Sequence, residues 1–225
     1  MWSFLIAAQL LATPSDATQA AFPVITAEVQ TGSLIFSQGD CLAVKVFSCS
    51  PYTHVGMVIL EHGQPVVYDA MNGPGVRKTP LSEYLTFLVP SEVEIVHPAQ
   101  PWDTAQHAAM ITHLESQLGR PYRIRHFSTG NRCEGVHCAE YMTDALMAAG
   151  KLKAERPPRV SPGSLRQGVL EGRVYQAGQR YDFTSAPLSA PAIDESWCGR
   201  CCRETAECWT ATCQQFSRWF LCREK

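Results

Sequence analysis

Three side chains in this sequence, Cys138, His54 and Asp69, are of the types that acyl chemistry on a thiol requires. Cys138 stands where a helix should begin. Beyond it Tyr141, Met142, Ala145, Leu146 and Ala149 recur at three- and four-residue spacing, the apolar stripe of a core-facing helix. Gly150 is a fitting stop, because glycine accepts the left-handed conformation that closes many helices. A thiol at a helix N-terminus feels the positive end of the dipole and faces N–H groups with no partner inside the helix. The first effect favours thiolate and the second offers donors to an oxyanion, so the position suits a nucleophile. A structural cysteine buried in a core fits the same stripe equally well.

A thiol becomes a useful catalyst when a histidine can hold its proton and a third polar group orients that histidine. His54 opens the apolar run Thr53 to Leu60, and Asp69 interrupts Val66, Val67 and Tyr68 just before Ala70. A four-residue turn, Glu61 to Gln64, joins the two runs as a hairpin and sets Ile59 opposite Val66. His54 and Asp69 then fall at nearby rungs, where the carboxylate could accept the imidazole N–H and fix its tautomer. The plain alternative is a strand-end histidine satisfied by backbone groups.

The elements that must position these residues follow from pattern and punctuation. Gly32 to Asp40 reads as a short strand between turn signals, Val76 to Leu81 as another, and Glu92 to Val96 as a half-buried strand of alternating character. Cys41 to Cys49 is ambiguous between helix and strand. Asp103 caps a helix from Thr104 to Leu118, with Ala108, Ile111, Leu114 and Leu118 on one face and Gly119 at its end. A turn at Gly119-Arg120-Pro121-Tyr122 and a loop through Asn131 deliver the chain to Cys138. Pro157 to Leu165 is a linker that starts a last short helix, and Arg173-Val174-Tyr175 is a closing strand. No internal repeat is present.

At 225 residues the chain holds one substantial core with an appendage. Its 45% hydrophobic and 18% charged residues exclude a disordered chain, and a net charge of -2 gives no electrostatic case for nucleic acid as a partner. Trp2 to Ala12 is apolar, too short to span a bilayer, and right for a signal-peptide core, although no Lys or Arg precedes it. Thr18-Gln19-Ala20 supplies small residues for a cut. The expected division is therefore a leader or N-terminal hydrophobic segment (1–20), a catalytic domain (21–185) and a cysteine-rich tail (186–225). Six of the ten cysteines, Cys198, Cys201, Cys202, Cys208, Cys213 and Cys222, crowd that tail. They are candidates for three disulfides, which with the leader points to export or the cell envelope; the alternative is a cytoplasmic protein. A zinc site on four thiolates is the weaker reading, since the tail has no His and its second half lacks a close Cys pair.

Taken in order, several fragments resemble the permuted papain-like amidases, the YiiX-like branch of the NlpC hydrolase superfamily. Gly32 to Phe36 is similar to that family's Gly-Asp-Leu-Ile-Phe, and Tyr52 to Val58 to its Ser-His-Val-Gly-Ile-Val. Tyr68-Asp69-Ala70 matches its carboxylate before Ala. Leu118 to Tyr122 resembles its Gly-Lys-Pro-Tyr turn, His137 to Glu140 its Tyr-Cys-Ser-Glu nucleophile motif, and Ser161 to Leu165 a late Pro-containing segment. Histidine precedes cysteine, as in the permuted branch, and the resemblance covers about Gly32 to Tyr175. It implies an α+β fold, a small antiparallel sheet packed against helices, with Cys138 as nucleophile, His54 as base and Asp69 as orienting group. Three positions depart: Ser33 replaces Asp, Ala139 replaces Ser, and Asp69 is one methylene shorter than the commoner Glu.

Tyr52 and the backbone N–H of Cys138 are further candidates for oxyanion or substrate contacts. Arg120, Arg123, Arg125, His126 and Arg132 form a basic run before the nucleophile. Arg120 and Arg123 in particular could receive a substrate carboxylate or phosphate; a solvated loop explains the run as well. The expected function is a cysteine hydrolase without cofactor, cleaving an amide or ester through a thioester. Candidate substrates are cell-wall peptides or acylated lipids, with association at the cell envelope or membrane. An acyltransferase using the same pair, or a binding protein that kept the fold, are the alternatives.

Overall fold

A computed structural model describes residues 16–39, 44–45, 50–88 and 91–183 of the chain. Helix α1 (Asp16–Glu28) leads into strands β1 (Leu34–Gln38), β2 (His54–Glu61), β3 (Gln64–Met71) and β4 (Gly75–Pro80). Helix α2 (Leu81–Leu88), strand β5 (Glu92–Pro98), helix α3 (Thr104–Ser116) and the short α4 (Arg125–Thr129) follow. Helix α5 (Cys138–Ala148), a 3-10 turn (Pro157–Arg159), helix α6 (Pro162–Glu171) and strand β6 (Tyr175–Asp182) complete the domain.

The six strands form one antiparallel sheet in the order β4-β3-β2-β1-β5-β6. Because side chains alternate along a strand, each strand feeds two cores. Leu34, Phe36, Val55, Met57, Tyr68, Ala70 and Val96 join α3, α5 and α6 in one cluster. Ile35, Val58, Val67, Met71, Val93 and Ile95 join α1 and α2 in the other. The sheet is thus covered on both faces, which explains why β1 and β2 read as nearly unbroken apolar runs.

The hairpin of β2 and β3 fixes the register that matters for the site. Ile59 does oppose Val66, but pairing continues to Glu61 and Gln64, so the turn is two residues long and not four. His62 (φ 52°) and Gly63 (φ 80°) both take the left-handed backbone that tight hairpins demand. Asp103 caps α3 as expected, within a reciprocal capping box with Gln106. Met110 and Leu114 carry its burial, while Leu118 lies beyond its end and is exposed.

Two helices escape the periodicity reading. Leu81, Tyr84, Leu85 and Leu88 are all buried on α2, but eight residues are short for a helical pattern to stand out. Helix α1 crosses the expected leader boundary at Ala20, and the buried Ile25 and Val29 fall on the domain side of it. The closing strand begins at Tyr175 and runs on to Asp182. It is a sheet edge with mostly exposed side chains, so no alternation marks it. Most of the expected leader, Cys41 to Cys49 save Val44 and Lys45, and the whole cysteine-rich tail lie outside the described residues. No helix among the described residues is long and apolar enough to cross a membrane.

Candidate active site

The site is built where the two cores meet, at the end of the sheet where β2 begins. Alternation gives His54 to the same face as Val58, and there its ring lies 6.1 Å from that of Tyr84 on α2. Gly56 shares this face, and any Cβ on it would meet Val67 Cγ1 at 2.7 Å and the Tyr84 hydroxyl at 3.1 Å. The glycine of the His-Val-Gly run therefore lets α2 close over the sheet beside the histidine. Continuing the β2–β3 register beyond Met57 and Tyr68 sets His54 opposite Met71, one diagonal from Asp69. The side chains meet: His54 Nε2 lies 3.0 Å from Asp69 Oδ2, with Asp69 fully buried.

Cys138 arrives from the other core as the first residue of α5, and only 3% of it is exposed. The helix is anchored by Tyr141, Met142, Ala145 and Leu146, all fully buried, and by the Tyr141 hydroxyl donating to the Leu114 carbonyl at 2.8 Å. Met142 and Leu146 each contribute about 1.5–3 kcal/mol by burial, so packing holds α5 more firmly than its own hydrogen bonds would. Its N-cap is His137, an unusual choice. The ring's Nδ1 accepts from the Glu140 N–H at 3.3 Å, and Nε2 donates to the Pro158 carbonyl at 2.9 Å. The 3-10 turn is thereby hooked onto the start of α5.

His54 and His137 both lie close enough to the Cys138 thiol to bias its titration. They are not equivalent. Capping and the Pro158 bond engage both nitrogens of His137, whereas the Asp69 bond engages Nε2 of His54 and not Nδ1. Burial pushes the Cys138 thiol up, but the charge on His54 and the hydrogen bonds from the two imidazoles outweigh it, so the thiol titrates below its ordinary value. Burial pushes His54 down; the thiolate beside it and the Asp69 carboxylate outweigh that and raise it. The two shifts share one cause, the attraction between the thiolate and imidazolium forms of neighbouring groups.

The fragments that carry the sequence resemblance now have their structural places, and the comparison with known families agrees. The pattern of the permuted papain-like amidase enzymes, the YaeF/YiiX C92 family, matches residues 28–157. The chain belongs to this family. Among solved structures its fold aligns with the metalloprotein YiiX from Escherichia coli O157:H7, with a TM-score of 0.52 and 18% identity. The alignment covers 67% of this chain and 96% of that one. Comparison with curated proteins found no match. As a permuted papain-like amidase the chain falls in a family of hydrolytic enzymes with an α+β fold. Among the described residues no group of three or more His, Cys, Asp or Glu side chains is arranged to hold a metal ion.

The remaining residues singled out from sequence have other partners. Tyr52 is buried and its hydroxyl donates to Glu94, which pushes its ionisation, already raised by burial, up to about 12. Arg166 on α6 lies over the Tyr52 ring and pairs with both oxygens of Glu94 at 2.6 and 2.7 Å. Tyr52 thus fastens the segment just before His54 to β5 and α6. Arg120 turns inward, donating to Gln117 Oε1 and to the carbonyls of Cys133, Glu134 and Gly135, so it braces the loop that precedes Cys138. Arg123 donates to its neighbour's carbonyl at 3.0 Å, and its stem covers Gly135. Arg132 grips Asp144 on α5 with two bonds of 2.6 Å. Much of the basic run therefore holds the loop and helix of Cys138.

Two residues of the site escape the sequence reading. His137 was visible there only as part of a motif, because imidazole is rarely an N-cap. Arg77 donates from Nε to Asp69 Oδ1 at 2.9 Å and from Nη2 to Oδ2 at 3.4 Å. Its signal was register: Arg77 lies directly across from Asp69 in β4, and a basic residue facing a buried acid across a sheet is a natural pair.

Proposed function

We propose that this chain is a cysteine amidohydrolase in which Cys138 attacks a peptide-like amide carbonyl, His54 manages the proton and Asp69 orients His54. The observation that carries the reading is the buried line from thiol to imidazole to carboxylate, with the thiol at the first position of a helix.

In the attack, thiolate sulfur bonds to the carbonyl carbon and the carbonyl electrons move to oxygen. That oxyanion forms beside the first turn of α5, where the N–H groups of Cys138 and Ala139 need partners from outside the helix and the dipole favours negative charge. The imidazolium of His54 gives its Nδ1 proton to the leaving amine, and the C–N bond breaks to leave a thioester. Water then loses a proton to the same nitrogen, attacks the thioester and releases acid and thiol. Throughout, Asp69 holds Nε2–H and keeps the ring in the tautomer that presents Nδ1 to sulfur. The substrates that fit this reading are peptides such as those of the cell wall, or acylated lipids. Export, the cell-envelope setting and paired tail cysteines belong to the same proposal.

The test is labelling of the full-length protein with electrophilic amide and ester probes, followed by peptide mapping, together with iodoacetamide alkylation across pH. Cys138 should label selectively, and its alkylation should reach half-maximum well below the ordinary thiol value of about 8.5. An ordinary midpoint, unchanged in His54→Ala, would sink the proposal.

A further inference from the structure

We infer that Arg77 is a positioning residue for this reaction: it clamps the short Asp69 carboxylate so that one oxygen faces His54. The inference rests on the reading of Cys138 and His54 as the reactive pair and goes beyond it.

Asp69 has a single methylene, and His54 lies on a diagonal rung, so the carboxylate must be turned along the sheet to meet the imidazole. Left alone, a carboxyl group rotates about its last torsion with a broad preference. Arg77 removes that freedom from the opposite side. It stands across from Asp69 in β4, takes Oδ1 with Nε, and reaches Oδ2 with Nη2, which leaves Oδ2 aimed at His54 Nε2. The planar fork of a guanidinium specifies direction in a way a lysine ammonium does not.

The clamp is itself held. The Arg77 guanidinium lies 4.4 Å from the centroid of the Phe87 ring on α2, and Nη2 also touches Met71 Sδ at 3.4 Å. Asp69 is fully buried while Arg77 is largely so, which sets the pair apart from bulk solvent. A chain of alternating charge results: thiolate, imidazolium, carboxylate, guanidinium. In this chain the third member is Asp, and Arg77 supplies the reach and direction that the missing methylene would have given. Val76 and Thr79, and not Arg77, are the fully packed side chains of β4.

The experiment uses full-length protein, with iodoacetamide alkylation of Cys138 at pH 7 as the rate probe and ¹⁵N NMR of the His54 ring as the tautomer probe. Arg77→Gln is expected to slow alkylation about tenfold or more and to shift the ring Nε2 signal away from its carboxylate-bonded position, with Arg77→Lys recovering only part. Phe87→Leu, which removes the platform alone, should move both readouts in the same direction by less, and it keeps the test open if Arg77→Gln does not fold. Adding Arg77→Gln to Asp69→Asn should cost little beyond Asp69→Asn alone, because Arg77 acts through that carboxylate. A folded Arg77→Gln protein with wild-type alkylation and wild-type ring signals overturns the inference, since a purely structural arginine would lower stability and leave both readouts in place. If wild-type Cys138 itself alkylates like an ordinary thiol, the reactive pair fails first and the clamp falls with it.

Discussion

The sheet carries two chains of hydroxyl or thiol, imidazole and carboxylate, one near each end of β1. At one end a 3.0 Å bond joins His54 to Asp69, with the Cys138 thiol beside the ring. At the other, Ser33 Oγ lies 2.9 Å from His97 Nδ1, and His97 Nε2 lies 3.1 Å from Glu28 Oε1. The residue classes and their order match, yet the two settings differ. Ser33 is fully buried in a turn, and its hydroxyl accepts from the Gln30 N–H at 3.0 Å. No helix begins there to receive an oxyanion. Glu28 is shared among His97, the Gln179 N–H and the Tyr181 hydroxyl, which ties α1 to β5 and β6. Three residues in line make a strut. A nucleophile needs the helix end and a ring nitrogen left open as well.

The largest effect expected from this contrast is on turnover. His54→Ala should lower turnover of a labile ester reporter about ten-thousand-fold, while His97→Gln should stay within about threefold and lose thermal stability instead. Comparable losses from both in folded protein would mean that the second chain takes part in chemistry.

A smaller effect follows inside the first chain. Asp69→Asn keeps the volume but can present an amide N–H where Nε2–H needs an acceptor, and the proton is driven to the nitrogen that must face sulfur. Turnover should drop about 10²–10⁴-fold with the fold intact by circular dichroism. Near-wild-type rates would move the orienting role to a backbone carbonyl or a water.

How far the sequence discloses this can be judged residue by residue. The Cys138 helix was legible because its stripe, start and stop agree, and a locally consistent segment needs no tertiary context. The hairpin was legible from two β-branched runs about one turn, which was enough to bring Asp69 near His54. The turn length was not, because His62 takes a positive φ that non-glycine residues seldom show. Arg77 stayed hidden because β4 had no assigned partner, and a cross-strand pair is invisible until the register is known. Arg120 read as a surface cation, since nothing local reveals that four acceptors on residues 117 and 133–135 converge on one guanidinium. Ser33 registered only as a departure from the family's Asp; that it receives His97 from 64 residues away is a long-range fact.

The smallest effect concerns stability at the second chain and has a definite sign. Burial pushes the Glu28 carboxyl up, but the Tyr181 hydroxyl, the Gln179 N–H and His97 outweigh it and hold the group below the ordinary glutamate value of 4.5. A carboxylate with a depressed native value stabilises the fold above its unfolded value, and the contribution fades as pH falls through the native one. Glu28→Gln should therefore cost about 1–2 kcal/mol at pH 7, and less at pH 3, which lies below the unfolded value, where the contribution has begun to fade. Urea midpoints of the two proteins at both pH values measure this directly. If the gap is the same at pH 3 and pH 7, Glu28 acts through shape and not through charge. If turnover at pH 7 falls along with stability, the strut is coupled to the reactive pair through β1, whose Ser37 lies beside His54 in the register. Unchanged turnover would show that one sheet carries two similar polar chains with separate tasks, the carboxylate of one spent on holding α1 and that of the other on aiming a ring.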